Sequence, residues 1–551
     1  MERFWLSSYA DYVPHDLPAL EYGSLVELIQ ASFSENADRP AAHCMGATLS
    51  YRQLDEKSKQ FAAYLRNDLK FQEGDRVAIM LPNILQYLVA LFGILRAGLV
   101  VVNANPLYTP RELQHQLKDS GAGALLVLEN FAHVAEKALE GTQVRQVITT
   151  GVGDLLSFPK SMLVNGVLKY LKKQVPAYDL PSAISLKSAL ASAAVDGYAD
   201  EKRELDDIAF LQYTGGTTGV SKGVMLTHSN ILSAVMQSAL WSENPRESYQ
   251  VIVAALPYYH IFALTANALA GMNYGALNVM IPNPRDMPGF VKELKNWEFS
   301  YFPGVNTLFR GLLNTPGFAD LDFSHLKLTV GGGMAVTKDV AEQWREVTGC
   351  EILEAYGLTE TSPGVTANPI GSPWRGSIGL PVISTSVKIF DDNDQAVAIG
   401  EEGELGIKGP QVMKGYWQRP EATAEAFTAD GYFKSGDFAT IDEEGFIKIL
   451  DRKKDMINVS GFNVYPNEIE DVLSDHPGIL EAAAIGIADD KSGEAVKLVV
   501  VKKDSALTEQ QIKDFCRENL TAYKCPKIIE FRDDLPKTNV GKVLRRELRD
   551  A

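Results

Sequence analysis

Apolar and polar positions follow two rhythms along most of the chain. Short continuous apolar runs, such as Arg76-Val77-Ala78-Ile79-Met80-Leu81 and Leu99-Val100-Val101-Val102, read as strands buried on both faces. Between them Ile84 to Leu95 reads as a buried helix, and Thr109-Pro110-Arg111-Glu112-Leu113 opens another with a capping residue and a proline in the first turn. The alternation resumes from Ile208 to about Cys350, which predicts α/β layering in two related lobes. After Gly376 the runs shorten and turns multiply, as in Val387-Lys388-Ile389-Phe390 and Gly403-Glu404-Leu405-Gly406-Ile407, which predicts a small β-barrel-like subdomain. The charged stretch Asp451-Arg452-Lys453-Lys454-Asp455 then precedes a compact α+β segment beginning near Tyr465-Pro466-Asn467-Glu468, so the main domain boundary is expected there.

With 551 residues the chain exceeds what one core normally supports. Its 53 basic and 70 acidic residues leave a net charge of -17, which disfavours a phosphate backbone and so a nucleic-acid partner. Cys44, Cys350, Cys516 and Cys525 show no metal-ligand spacing, and the start of the chain lacks a basic-then-apolar leader; free thiols in a cytoplasmic compartment are expected. From 251 to 284 no residue is charged, yet Pro257, His260, Asn267, Asn273 and Gly275 interrupt the stretch. It reads as strand, turn, helix and strand, not as a membrane span.

The apolar run Ala209-Phe210-Leu211-Gln212-Tyr213 leads directly into Thr214-Gly215-Gly216-Thr217-Thr218-Gly219-Val220-Ser221-Lys222-Gly223. Glycines admit backbone N–H groups to an anion, and the threonine hydroxyls and Lys222 add donors and charge, so a phosphate cradle is expected. The order differs from a P-loop, because Ser221 precedes Lys222 and glycine follows. Six companions follow: Leu256-Pro257-Tyr258-Tyr259-His260-Ile261-Phe262, Gly331-Gly332-Gly333-Met334, Glu354-Ala355-Tyr356-Gly357-Leu358-Thr359-Glu360-Thr361, Tyr432-Phe433-Lys434-Ser435-Gly436-Asp437, Asp451-Arg452-Lys453-Lys454-Asp455 and Leu535-Pro536-Lys537-Thr538-Asn539-Val540-Gly541-Lys542. In this order they resemble the adenylate-forming superfamily of acyl-CoA synthetases, luciferases and adenylation domains. Asn105-Pro106-Leu107-Tyr108-Thr109-Pro110, Gly304-Val305-Asn306-Thr307-Leu308-Phe309 and Val459-Ser460-Gly461-Phe462-Asn463-Val464 are closest to bacterial long-chain fatty acid–CoA ligases. Ser221, Tyr432 and Ser435 depart from the usual residues of the pattern.

The resemblance implies ATP, Mg²⁺ and coenzyme A as small-molecule partners and a fatty acid as substrate. It implies that Glu360 and Thr214 hold the metal, that Thr359 donates to the α-phosphate, and that Tyr213, Thr214, Gly215, Gly216, Thr217, Thr218, Gly219 and Lys222 surround the phosphates. Tyr356 and Gly357, with Gly331, Gly332 and Gly333, would border adenine, while Asp437 and Arg452 would hold the ribose. Lys542 would reach the carboxylate and the α-phosphate. Residues 1–450, 451–454 and 455–551 are then expected as a nucleotide- and acyl-binding domain, a hinge and a mobile domain. The last would swing about Lys454 to present Gly461 to the pantetheine arm.

Small residues at Ala263, Ala266, Ala268, Ala270 and Gly271, with Val305, Asn306 and Thr307, are candidates for an acyl tunnel wall, and close helix–sheet packing would use the same residues. His260 either positions the carboxylate or is a packed core histidine. From Met162 to Val175, Leu163, Val167, Tyr170 and Leu171 share a helical face flanked by Lys169, Lys172 and Lys173; such a helix lies on anionic lipid of the inner membrane or packs on its own domain. A homodimer is left open. The alternatives are a medium-chain or aryl acid–CoA ligase, a luciferase-type oxygenase, and a noncatalytic acyl- or ATP-binding protein.

Overall fold

The computed structural model describes residues 3–214, 221–243, 248–460, 462–489, 492–538 and 541–549, and these build four sheets. In an eight-stranded sheet, Arg76–Met80, Val100–Asn103, Ala124–Leu128 and Gln146–Thr150 run parallel, and the fully buried helix Leu85–Arg96 links the first two. The helix Pro110–Ser120 starts as the sequence predicts, with the Thr109 hydroxyl accepting from Glu112 N–H. A nine-stranded sheet holds Val251–Ala254, Leu277–Met280, Tyr301–Gly304, Leu328–Gly331 and Ile352–Gly357 in parallel.

Both expected lobes are present, but their segments interleave. Ile208–Thr214, expected to open the second lobe, pairs in parallel with Val100–Asn103 and belongs to the first sheet. Pro40–Cys44, early in the chain, pairs with Leu277–Met280 in the second. A strand apolar on both faces needs a neighbour on each edge, and hydrophobic rhythm does not specify which sheet supplies it.

The uncharged 251–284 stretch folds as strand, a short helix Ile261–Ala263, a wider π-helical turn Leu264–Leu269, the helix Ala270–Tyr274, and strand. No helix among the described residues is long and apolar enough to cross a membrane. The expected barrel-like subdomain is an open antiparallel sheet of Ser386–Phe390, Gly403–Lys408, Phe433–Ile441 and Ile447–Arg452. The last of these strands carries the first two residues of the expected hinge, and a turn covers 453–455.

A five-stranded sheet from Ile457–Val459 to Ile528–Arg532 follows, with its own core around Ile469, Leu473, Leu498, Val500 and Ile512. Polar contacts join this segment to the four-stranded sheet. The Tyr465 hydroxyl donates to Glu402 Oε2 at 2.8 Å, and Asp451 accepts from Asn467 N–H at 2.8 Å and faces Arg545 at 3.4 Å. They carry the C-terminal loop bearing Lys542 over the ends of the large sheets.

Candidate active site

One cavity of about 1050 Å³ opens where the four sheets meet. Tyr213, Thr214 and Lys222 border it from the eight-stranded sheet, and Gly332, Gly333, Ala355, Tyr356 and Gly357 from the carboxyl ends of the nine-stranded one. Ser435, Gly436 and Arg452 come from the four-stranded sheet, and Lys454, Thr538, Lys542 and Arg545 from beyond it. A crevice outside the carboxyl ends of parallel strands is the usual ligand position in such sheets.

One corner is built by strand register. Asp437 and Arg452 are directly opposite in the pairing of Phe433–Ile441 with Ile447–Arg452, and Arg452 Nε lies 2.8 Å from Asp437 Oδ1. The Tyr356 hydroxyl, from the end of Ile352–Gly357, donates to Asp437 Oδ2. The Ser435 hydroxyl accepts from Asp437 N–H at 3.1 Å. Asp437 is only 3% exposed, yet each oxygen keeps acceptor capacity beyond these donors.

The opposite corner is a hairpin. Ile208–Thr214 and Lys222–Thr227 are antiparallel, with Thr214 opposite Lys222, so both residues stand at the mouth of the loop between them. Gly215, Gly216, Thr217, Thr218 and Gly219 lie outside the described residues. Gly415–Tyr416 pairs with the Lys222–Thr227 strand and brings the Tyr416 ring 4.8 Å from Lys222 Nζ. The Tyr416 hydroxyl donates to Glu360 Oε1 at 2.9 Å, next to Thr359 in a 3₁₀ turn. Burial pushes the Glu360 carboxyl up from the ordinary range. Behind the hairpin, Tyr213 donates to Asp119 at 2.7 Å, and Asp119 also pairs with Arg419 at 2.5 Å. Sequence reasoning missed Tyr416; its only signal is an aromatic pair, Tyr416-Trp417, after Gly415.

The third group is cationic. Burial, reinforced by Arg452 and Arg545, lowers the Lys542 pKa to about 8, and burial beside Arg452 lowers Lys454 to about 8. Arg545 is tied to Glu470 at 2.7 Å and to Asn467 at 2.7 Å. Gly541 adopts φ +84°, and a Cβ there would come 2.4 Å from Thr307 Oγ1, so only a bare backbone fits against the helix Asn306–Leu313. Gly461 lies outside the described residues.

An apolar arm of the cavity runs alongside the strands, bordered by Tyr301, Leu328, Val330 and Leu353 and, on the helix His228–Trp241, by Ala234, Gln237, Ser238 and Trp241. Ala234 to Trp241 is about 10 Å along a helix axis. Trp241 is held in place, because its indole N–H donates to Asn368 O at 3.1 Å and its ring meets Tyr9 edge-on at 5.2 Å. Ile261, Phe262 and Thr265 border the cavity as well, but for most of the small residues the packing alternative holds. Of those candidates Ala266 borders the cavity, while Ala263, Ala268, Ala270 and Gly271 are packed in the core and a Cβ on Gly271 would meet Asn278 at 2.4 Å. Val305, Asn306 and Thr307 support neighbouring loops instead of bordering the cavity; Asn306 Oδ1 accepts from Thr337 N–H at 3.1 Å. His260 does border it, its Nδ1 accepts from Phe262 N–H at 3.3 Å, and burial pushes its pKa down to about 4, so the ring is neutral with its proton on Nε2.

Models of two families match the chain: AMP-binding enzyme over residues 29–417 and AMP-binding enzyme C-terminal domain over residues 468–542. The chain is 55% identical to a long-chain-fatty-acid–CoA ligase of Escherichia coli O157:H7, with 100% of this chain and 98% of that protein covered. Among solved structures, the anthranilate CoA ligase AuaEII in complex with anthranoyl-AMP superposes with a TM-score of 0.84 at 25% identity, covering 97% of this chain and 98% of its own. ATP-bound MatB from Rhodopseudomonas palustris superposes with a TM-score of 0.80 at 30% identity, covering 95% and 98%.

Gly332 and Gly333 face the cavity, whereas Gly331 is pressed between Val336 and Ile352. The loop that follows is latched by Glu354 Oε1, which accepts from Val336 N–H at 3.0 Å, while Oε2 has no partner among the described residues. Burial raises the Glu354 pKa from 4.5 to about 7. A raised folded-state pKa means this contribution to stability is complete below the unfolded value and is lost as pH rises through the folded one. Glu354→Gln should therefore gain on the parent chain by on the order of 3 kcal/mol between about pH 4.5 and pH 8, read from denaturant midpoints. A difference that does not vary with pH would refute this.

Proposed function

Because this chain belongs to the AMP-binding enzyme family, we propose that it is an AMP-forming acid–thiol ligase that activates a long-chain fatty acid with ATP and transfers it to coenzyme A. The observation that carries this reading is the convergence of Thr214, Lys222, Tyr356, Glu360, Arg452 and Lys542 on one cavity that also has an apolar arm.

In the first half-reaction a carboxylate oxygen of the fatty acid attacks the α-phosphorus of ATP, the bond to the bridging oxygen breaks, and pyrophosphate leaves. Lys542 and Lys222 screen the repulsion between carboxylate and triphosphate, and Asp437 with Arg452 and Tyr356 fixes the nucleoside so that the attack is in line. His260, neutral with a proton on Nε2, donates to the carboxylate without adding charge. In the second half-reaction the CoA sulfur, having lost its proton, attacks the acyl carbon, the bond to the phosphate oxygen breaks, and AMP leaves. Residues 455–551 turn about Lys454 between the steps, withdrawing Lys542 to make room for the pantetheine arm. Residues 1–450 hold the acyl chain and the nucleotide throughout.

Magnesium takes hard oxygen ligands, usually one or two carboxylates together with phosphate oxygens. Among the described residues no cluster of three or more metal-ligating side chains occurs, so Glu360, aided by the Thr214 hydroxyl, would hold such an ion with the phosphates completing its shell. When bound, it neutralises phosphate charge.

Pyrophosphate release measured with and without CoA over acids of increasing length tests the assignment; no release with any acid would end it. Lys542→Ala should lower adenylation by on the order of 10²–10³ and spare thioester formation from supplied acyl-AMP. Because Lys542 carries its charge only below about pH 8, kcat/KM for adenylation should fall as pH rises through that value. Lys542→Arg, which stays protonated, should move the fall to higher pH. An unmoved alkaline limb would exclude Lys542 as its source. On the wall of the apolar arm, Trp241→Leu should raise kcat/KM for octadecanoate relative to dodecanoate, since each added buried methylene contributes about 0.8 kcal/mol, roughly fourfold. An unchanged ratio would mean that Trp241 does not bound the acyl chain.

A further inference from the structure

Five of the twelve large apolar side chains exposed among the described residues fall within fourteen consecutive positions: Phe158 at 82%, Met162 at 67%, Leu163 at 65%, Tyr170 at 76% and Leu171 at 77%. The helix Lys160–Gly166 and its π-helical continuation Val167–Leu171 carry four of them. This helix is oriented opposite to an ordinary surface helix, which shows its polar side to water. Its uncharged polar residues, Ser161 and Asn165, face inward. Ser161 is buried and accepts from Lys187 at 3.2 Å, Asn165 donates to Asp154 at 2.9 Å, and Asn165 accepts from Gly153 N–H at 2.7 Å. The apolar side is thereby held outward by hydrogen bonds beneath it.

The charge of the segment is as distinctive as its orientation. In a chain of net charge -17, residues 155–178 contain no Asp or Glu and four lysines, of which Lys169, Lys172 and Lys173 are exposed beside Tyr170 and Leu171. An anionic layer would repel the chain's net charge as a whole, and this acid-free stretch offers lysines beside exposed apolar side chains.

We propose that residues 158–173 form a docking surface for an anionic lipid bilayer. Phe158, Met162, Leu163, Tyr170 and Leu171 enter the headgroup–acyl boundary, and the three lysines pair with lipid phosphates. Tyrosine beside lysine and leucine suits a boundary that is apolar on one side and wet on the other. A protein partner matched to this patch would need an acidic rim around an apolar centre, and none is supplied by the segment itself. This inference does not depend on the ligase reading.

Full-length protein sedimented with vesicles provides the test. Vesicles of equal parts phosphatidylcholine and phosphatidylglycerol should bring down the parent chain, with binding weakened by added salt, and phosphatidylcholine alone should bring down at least about tenfold less. The triple change Lys169→Glu, Lys172→Glu, Lys173→Glu should lose at least about tenfold in partitioning, as should the double change Leu163→Ser, Leu171→Ser. These side chains are exposed, so the variants should keep parental far-ultraviolet circular dichroism and parental pyrophosphate release with a soluble short-chain acid. Undiminished vesicle binding by both variants would overturn the proposal. So would a parent chain that stays in solution with both kinds of vesicle. Self-association abolished by the double change would then assign the patch to a second copy of the chain.

Discussion

The arrangement on which the rest depends is an ammonium group held in a partly dry cleft next to other cations. Lys542 and Lys454 stand near Arg452 and Arg545, and burial and like charge both work against them. Arg452 is matched by Asp437 and Arg545 by Glu470 and Asp451, whereas neither lysine has a carboxylate in ion-pair contact among the described residues. Such a site is electrostatically incomplete until an anion enters. The strand register that sets Asp437 opposite Arg452 keeps this imbalance local, because it neutralises one guanidinium and leaves the lysines to the ligand.

Much of this was legible in the chain itself, for a particular reason. Thr214, Glu360, Arg452 and Lys542, which the structure gathers on one cavity, and Asp437 beside Arg452 lie in short segments of distinctive residue type and spacing, so they stand out before any fold is known. The α/β character was readable from alternating runs, as with the helix Leu85–Arg96 and the strand Val100–Asn103. What the rhythm could not carry was partnership. Ile208–Thr214 and Pro40–Cys44 each sit in the sheet opposite to the one their place in the chain suggests, since edges are filled by whichever apolar strand packs there.

The apolar arm of the cavity was not legible for a related cause. Small side chains at Ala268, Ala270 and Gly271 signal close approach, and in this fold the approach is to Asn278 and the neighbouring sheet. The cavity's apolar lining also joins the His228–Trp241 helix to strands more than fifty positions away in sequence, which no local pattern announces. Tyr416 illustrates the same limit, because its hydroxyl reaches Glu360 from a two-residue strand that pairs with the Lys222 hairpin.

Gly541 bears on how such a molecule can release what it holds. The loop around it is closed on itself, with Thr538 N–H donating to Lys542 O at 2.7 Å, Gly541 N–H to Thr538 O at 2.9 Å, and Lys542 N–H to the Thr538 hydroxyl at 3.0 Å. Against Thr307 it offers only a bare backbone edge. Among the described residues, the bonds of this loop run within it and none reaches the helix it faces, so withdrawal costs the loop none of its own internal ties.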